Sequence, residues 1–308
     1  MLSTCSMHKS GFVNIIGNPN VGKSTLMNAL VGERMSIITS KAQTTRHRIV
    51  GIVNTEEYQI VFSDTPGILR PSYKLQESMM RSVNGAVADA DVILYVTDVV
   101  EQRAVRDDNP MERSAEVLAK VAKAKVPTIV LINKIDLSTP DELEGMVARW
   151  KTLLPDAVVL PISAKNAFGT EALMSMIVER LPEGEPYYDK DALTDRPMRF
   201  FASEIIREKI LLNYTKEVPY SVEVAIDAYR ESPEIDRISA TIYVARASQK
   251  GIIIGRGGAM LKKVGTEARK DLERFLDKKV FLELFVKVDE GWRDDSRQLR
   301  RFDYEDFE

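Results

Sequence analysis

The octapeptide Gly17-Asn-Pro-Asn-Val-Gly-Lys-Ser24 decides the fold of the first half of the sequence. It follows the apolar run Phe12–Ile16 and precedes a helical pattern, which is the setting that the phosphate-binding pattern G-x-x-x-x-G-K-S requires. Backbone N–H groups of such a loop point at phosphate oxygens, so we expect Lys23 to reach the β- and γ-phosphates and Ser24 to offer its hydroxyl to Mg²⁺. The motif alone does not separate ATP from GTP. The predicted nucleotide contacts here are Gly17, Asn18, Pro19, Asn20, Val21, Gly22, Lys23, Ser24 and Thr25.

Short apolar runs alternate with amphipathic patterns through the first 180 residues, which predicts an α/β domain with a mostly parallel sheet flanked by helices. The second and third strands are too close for a crossover helix and should form a hairpin. The predicted strands are Phe12–Ile16, Ile49–Val53, Gln59–Phe62, Val92–Thr97, Thr128–Ile132 and Val158–Ile162. The predicted helices are Ser24–Val31, Leu75–Val87, Met111–Lys123, Asp141–Leu153 and Glu171–Arg180.

The pattern changes after Pro182, where a polar stretch rich in proline and glycine is typical of a linker. The following order of elements, α-β-β-α-α-β, predicts a smaller α+β domain. We therefore predict a nucleotide-binding domain over 10–182, a linker over 183–199, a second domain over 200–288 and a C-terminal tail over 289–308. That tail, acidic in composition, would either screen a basic face or remain disordered.

Polar residues at the ends of the second and third strands complete the predicted phosphate and metal site. The tetrapeptide Asp64-Thr65-Pro66-Gly67 follows a strand, so Asp64 is expected to hold Mg²⁺ through water and Gly67 to offer its N–H to a γ-phosphate. Either threonine of the pair Thr44 and Thr45 could complete the Mg²⁺ shell and sense the γ-phosphate, and we favour Thr45.

The segment Asn133-Lys134-Ile-Asp136 favours guanine over adenine. An ionised Asp136 only accepts hydrogen bonds, and guanine presents two adjacent donors where adenine has none. Lys134 can lay its aliphatic stem over the purine, and Asn133 is expected to tie this loop to the phosphate loop. In Ser163-Ala164-Lys165, which follows the next strand, the N–H of Ala164 is expected to meet the guanine carbonyl.

A second glycine-rich loop, Gly255-Arg256-Gly257-Gly258, leads into a basic helical stretch. In this order of elements the pattern G-x-x-G is typical of a prokaryotic-type KH domain, in which the loop clamps about four nucleotides of single-stranded backbone. Arg256 and the helix residues Lys262 and Lys263 are predicted phosphate contacts. Ile253 and Ile254 either pack against bases or fill the core.

Composition limits the remaining possibilities. The 308 residues predict about two domains, and no apolar stretch is long enough for a membrane-spanning helix. One cysteine and two histidines nearly exclude a Cys/His metal site, and Met1–Ser10 lacks the apolar run of a signal peptide. Residues 246–287 hold 11 basic and 5 acidic residues in a chain of net charge -3, which indicates either an anionic partner or a solvated helix face.

These motifs, with Lys-Ala-Gln-Thr-Thr-Arg-His-Arg-Ile at 41–49, resemble those of the Era-like family of translation-factor-related GTPases. The resemblance covers about residues 10–300 and implies a P-loop GTPase domain followed by a KH domain. It further implies GTP hydrolysis to GDP, Mg²⁺, and binding of the 3′ end of 16S ribosomal RNA in assembly of the 30S subunit. It also implies a cytoplasmic monomer that associates peripherally with the inner membrane.

One position departs from Ras-type GTPases. Ile68 stands where those enzymes place the glutamine that orients water, and an isoleucine cannot do this. Related GTPases carry a phosphate-loop asparagine that binds K⁺, and Asn20 matches it, although an ordinary turn residue is the alternative.

Two other functions stay open on the sequence. One is an RNA-binding protein with a vestigial nucleotide site, which the intact Lys23, Ser24, Asp64 and Asp136 disfavour. The other is an ATP-dependent RNA helper, which the guanine-type motif at 133–136 disfavours.

Overall fold

The computed structural model describes residues 8–103 and 110–304, apart from the side chains of 110–113. It divides into two compact units. The first unit runs through Ser36 and includes Thr45–Pro71 and Met79–Asp195, and the second includes Ile37–Thr44, Ser72–Ser78 and the chain from Arg196 onward.

A six-stranded sheet forms the first unit, in the order β2-β3-β1-β4-β5-β6. All neighbouring strands are parallel except β2 and β3, which form the expected antiparallel hairpin. The strands are β1 Lys9–Gly17, β2 Ile49–Asn54, β3 Tyr58–Asp64, β4 Val92–Asp98, β5 Thr128–Asn133 and β6 Val158–Pro161. The helices of this unit are α1 Lys23–Val31, α3 Val99–Arg103, α4 Pro110–Lys123, α5 Pro140–Leu153 and α6 Thr170–Arg180. Helix α2, Lys74–Ala88, belongs to this unit from Met79 onward.

Strand β4 shows the burial that is typical of a parallel sheet. All seven of its side chains are buried, as a strand covered by helices on both faces requires. On one side its Tyr95 packs against Trp150 of α5, with ring centroids 5.3 Å apart. The predicted fold class is confirmed, and the five-residue helix α3 is an addition that periodicity could not reveal because it is too short.

The segment predicted as a linker does not leave the first unit at residue 183. The N–H of Ile52 in β2 donates to the carbonyl of Leu193 at 2.9 Å, and the side chain of Gln59 accepts from the N–H of Tyr187 at 2.7 Å. An edge strand has unpaired backbone groups that need partners, and this polar segment supplies some of them. Its composition is typical of a linker, but its backbone packs as part of the first unit as far as Asp195.

The second unit contains a three-stranded sheet in the order β7-β8-β9, with β7 antiparallel and β9 parallel to the central strand. The predicted order of elements is confirmed. Helices α7, α8 and α9 pack on one face of the sheet over an apolar core that includes Ile206, Ile242 and Val264. Its elements are α7 Met198–Asn213, β7 Val222–Arg230, β8 Ile235–Val244, α8 Ala247–Ile254, α9 Ala259–Leu276, β9 Lys279–Val288 and α10 Ser296–Arg301.

The predicted tail is folded as far as Tyr304, so the alternative of a disordered tail does not hold there, and the screening of a basic face stays a prediction. Residues 305–308 lie outside the described part of the chain. Trp292 is fully buried and donates through Nε1 to the carbonyl of Ser221 at 3.3 Å. Tyr304 donates to Glu223 Oε2 at 2.6 Å. The position of Trp292 after the last strand predicts that it caps this small core, and together with Tyr304 it closes the second unit.

The segment Ile37–Thr44 is held by helix α7 of the second unit. Lys41 Nζ donates to the carbonyl of Tyr214 at 2.5 Å. Arg207, which is 1% exposed and paired with Glu204, donates to the carbonyl of Thr44. Polar groups of α7 therefore fix the backbone that leads directly into Thr45.

The segment Ser72–Ser78 also belongs to the second unit. The N–H of Leu75 donates to the carbonyl of Arg293 at 3.0 Å, and the Arg293 guanidinium lies 4.7 Å from the ring centroid of Tyr73. No helix within the described ranges is both long and apolar enough to span a membrane.

Candidate functional site

The phosphate loop joins β1 to α1 at the carboxyl edge of the first sheet. Gly22 precedes α1 with φ at 96°, a left-handed conformation that favours glycine. A Cβ atom there would lie 2.3 Å from Nδ2 of Asn133. The loop therefore needs glycine both for its turn and for the close approach of the base-pocket loop.

Lys23 is buried and points back over the loop. Its side chain donates to the carbonyls of Gly17 at 3.1 Å and Asn18 at 2.9 Å. Burial lowers the pKa of Lys23 to about 8, against the opposing effect of Asp64 and Glu101. An ammonium surrounded by oxygen atoms is placed as the phosphate-binding role requires.

Three predicted Mg²⁺ ligands converge beside this lysine. Ser24 Oγ lies 2.6 Å from Asp64 Oδ2 and 2.9 Å from Thr45 Oγ1. The other carboxylate oxygen of Asp64 is buried and accepts no hydrogen bond from the described residues. Burial raises the pKa of Asp64 because it disfavours the charged carboxylate. A cation beside Asp64 would stabilise that charged form. Hydroxyl and carboxylate oxygens are the donors that Mg²⁺ prefers, so the residues fit this ion.

Thr44 lies outside this set. Its hydroxyl is 2.6 Å from Thr39 Oγ1 and donates to the carbonyl of Lys41 at 2.6 Å. Of the two threonines left open by the sequence, the structure brings Thr45 to Ser24 and Asp64.

The tetrapeptide 64–67 is fastened to the phosphate loop by its neighbours. Thr65 donates through Oγ1 to the carbonyl of Ile15 at 2.7 Å, and the N–H of Ile68 donates to the carbonyl of Gly17 at 3.1 Å. Pro66 is buried between them, which leaves Gly67 beside the phosphate loop. The Ile68 side chain is 1% exposed in the core, so it cannot orient an attacking water.

Asn133 ties the base-pocket loops together. Its Nδ2 donates to the carbonyl of Val21 at 2.8 Å, as the sequence predicted. Its Oδ1 accepts from the N–H of Ala164 at 3.0 Å. The same N–H is the one expected to meet the guanine carbonyl, and that contact stays a prediction. Lys165, the neighbour of Ala164, is exposed.

Lys134 and Asp136 form the open side of the base pocket. Lys134 has φ at 62° and donates to the carbonyl of Asn20 at 2.6 Å. Asp136 is exposed and accepts from Ser163 Oγ at 2.6 Å through Oδ1. The Ser163 hydroxyl thus orients an exposed carboxylate that can accept from the two donors of guanine.

Sequence reasoning missed two acidic residues, Asp98 at the end of β4 and Glu101 three residues later. Asp98 is paired with Lys134, and Glu101 accepts a hydrogen bond from the side chain of Asn18. Thr97 donates to the other oxygen of Glu101 at 3.2 Å. The available signal was their position at or just after the end of a fully buried strand, since neither belongs to the motifs that we recognised.

The second unit presents the glycine loop between α8 and α9. Gly255 has φ at 71°, and a Cβ atom there would lie 2.7 Å from Met260 Cγ. Arg256–Gly258 forms a single 3-10 turn before the amino end of α9, whose first turn holds no acidic residue. Gly257 and Gly258 leave open space around their Cα atoms, so a phosphate can approach the loop closely.

A groove of about 400 Å³ adjoins this loop between α9 and β9. It combines an apolar floor with basic residues on the rim. Its lining residues are Gly258, Leu261, Lys262, Gly265, Thr266, Arg269, Leu282 and Leu284.

The predicted RNA contacts beside the loop need one correction. Ile253 is 1% exposed in the core of the second unit and cannot meet a base, whereas Ile252 is 49% exposed and was not predicted. Ile254 is half-buried. Lys262 and Lys263 are both exposed, although Lys263 lies 3.9 Å from Glu267.

Two family models match the chain: one described as 50S ribosome-binding GTPase over residues 12–134, and one described as KH domain over residues 217–293. The chain is similar to the structure of Aquifex aeolicus Era bound to GDP and AlF4⁻, with 39% identity, 96% of this chain and 99% of that chain covered, and a TM-score of 0.89. It is also similar to Era in complex with MgGDPNP and nucleotides 1506–1542 of 16S ribosomal RNA, with 38% identity, the same coverage and a TM-score of 0.89.

We predict that Asp136→Asn changes the preferred base. Xanthine offers an acceptor where guanine has its amino donor, so the amide should bind xanthosine nucleotides, and affinity for guanosine nucleotides should fall about a hundredfold. Titration calorimetry with both nucleotides measures the change. Asp141→Asn, on the exposed start of α5, is the control. If the Asp136→Asn protein keeps its full preference for guanine, the base does not bind at Asp136.

A second prediction concerns the two threonines. Thr45→Val removes a hydroxyl from the Mg²⁺ set and should raise the Mg²⁺ concentration needed for nucleotide binding about tenfold. Thr44→Val is the matched control, since that hydroxyl bonds to Thr39 and Lys41 instead. Equal effects of both substitutions would contradict the assignment.

Proposed function

The chain belongs to the Era family of GTPases, and from this premise we propose that its first unit hydrolyses GTP to GDP and phosphate while its second unit binds single-stranded ribosomal RNA. The observation that carries the first part is the convergence of Ser24, Thr45 and Asp64 beside Lys23. The intact metal set disfavours a vestigial nucleotide site. The loop at 133–136 disfavours an ATP-dependent helper, and comparison of GTP and ATP turnover tests this.

Hydrolysis at this site depends on positioning and charge rather than on a covalent intermediate. Lys23 and the loop N–H groups hold the β- and γ-phosphates, and the N–H of Gly67 meets the γ-phosphate. Ser24, Thr45 and Asp64 would hold Mg²⁺, which supplies positive charge to the phosphate oxygens. Water attacks the γ-phosphorus and gives up a proton to solvent, so that inorganic phosphate forms. GDP leaves with the electrons of the broken bond between the γ-phosphorus and the β–γ bridging oxygen.

We propose that K⁺ supplies the additional charge that an arginine supplies in other GTPases. Asn20 is exposed at the mouth of the loop, with φ at 65°, and its carbonyl accepts from Lys134. Its side chain is thus carried on a fixed backbone beside the phosphate positions. Because Ile68 is buried, another group must orient the attacking water or stabilise the transition state.

The RNA proposed for the second unit is the 3′ end of 16S ribosomal RNA, in the context of 30S assembly. The relative that was solved with 16S nucleotides supports this choice. In this chain, the glycine loop, the amino end of α9 and the groove beside them offer backbone N–H groups, cations and an apolar floor. Phosphates are expected at the loop and unpaired bases in the groove.

The resemblance to Era-like GTPases also supports a monomer acting in the cytoplasm, with a peripheral contact at the inner membrane. A cell-fractionation experiment with and without GTP tests this part of the proposal.

RNA binding should depend steeply on salt concentration, since phosphate contacts release counterions. Arg256→Ala and Lys262→Ala should each weaken binding to 16S 3′-end oligonucleotides and lower the logarithmic salt slope by about one. Fluorescence anisotropy at several KCl concentrations measures both quantities. Lys216→Ala, an exposed lysine that precedes β7, is the control. If the salt slopes of Arg256→Ala and Lys262→Ala are unchanged, these residues do not contact RNA phosphates.

Replacing K⁺ by Na⁺ should lower GTP turnover at least about tenfold at constant ionic strength. Asn20→Ala should turn over GTP equally slowly in both salts while still binding GDP. Turnover by the unmodified protein that is the same in both salts would contradict the K⁺ proposal and leave GTP hydrolysis itself standing.

A further inference from the structure

Glu101 is a carboxylate at the phosphate loop that the hydrolysis described above does not use. It lies in the first turn of α3, and its N–H donates to Asp98 Oδ1 at 2.6 Å. One of its oxygens accepts from the side chain of Asn18, and the other accepts from Thr97 Oγ1 at 3.2 Å. These contacts hold the carboxylate in one position.

The same loop residue also contacts the phosphate-binding lysine. Lys23 Nζ donates to the carbonyl of Asn18 at 2.9 Å, while the side chain of Asn18 is bound to Glu101. Asn18 therefore links the Glu101 carboxyl group to the ammonium that must bind the outer phosphates.

A bound nucleotide would compete with Glu101 for a nearby positive charge. Asp64 belongs to the Mg²⁺ set, and Asp98 is paired with Lys134. Within the described part of the chain, Lys23 is the cation that acts on Glu101, and the phosphates need that cation too. Burial raises the pKa of Glu101, although its hydrogen bond from Asn18 opposes this effect.

We propose that Glu101 sets nucleotide affinity by competing with the phosphates for Lys23, so that it weakens binding more for each added phosphate and speeds nucleotide release. Its hydrogen bond to Asn18 meanwhile keeps the loop in shape. The proposal rests on the nucleotide site of the proposed function and adds a residue that limits how tightly this site holds its ligand.

The test separates the charge of Glu101 from its hydrogen bonds. Glu101→Gln keeps an oxygen that accepts from Asn18 and removes the charge. Because each added phosphate brings more negative charge near Glu101, the substitution should tighten GTP binding about tenfold, tighten GDP binding less, and leave guanosine binding unchanged. Titration calorimetry gives the three Kd values, and stopped-flow fluorescence of labelled nucleotides gives the release rates.

The control is Glu116→Gln, an exposed glutamate on α4 whose partner is Lys120. Glu101→Ala provides a second variant that loses the hydrogen bond as well. Affinity for all three ligands should then fall, but the ratio of GTP to GDP affinity should still rise. An unchanged ratio in both variants, or weaker GTP binding by Glu101→Gln, would overturn the proposal. Failure of the unmodified protein to bind GTP would refute the proposed function instead.

Discussion

A buried lysine ammonium needs oxygen atoms around it, and this requirement organises the first unit. Lys23 has the carbonyls of its own loop as hydrogen-bond acceptors and the carboxylates of Asp64 and Glu101 as counter-charges. Strand β1 leads into the loop that carries Lys23, while its two neighbours, β3 and β4, lead to the acids. Because parallel strands end at the same edge of a sheet, the strand order alone brings these three charges together.

The sequence predicts this arrangement well because each motif follows an apolar run. The strand ends fix where Asp64, Asn133 and Ser163 emerge, and the glycine loops identify both sites. Other features depend on packing that no local pattern records. Ile253 is assigned to the core only when α8 is placed on the sheet. Asp98 and Glu101 belong to no motif that we recognised, so only their contacts with Lys134 and Asn18 in the folded chain indicate a role.

The backbone around Thr45 connects a residue that is hydrogen-bonded to α7 with a residue of the Mg²⁺ set. Arg207, a buried residue of α7, holds the carbonyl of Thr44, and the next peptide bond leads to a hydroxyl of the Mg²⁺ set.

Strand β9 uses its two faces for different purposes. Leu282 and Leu284 point toward the groove and core, while Phe281 and Phe285 on the opposite face are 43% and 55% exposed. Side chains alternate along a strand, so a slip of one residue would exchange these pairs. The short turn between α9 and β9 should accordingly tolerate neither the insertion nor the deletion of a single codon over evolutionary time. Among homologues, its length should vary less than the identity of its residues.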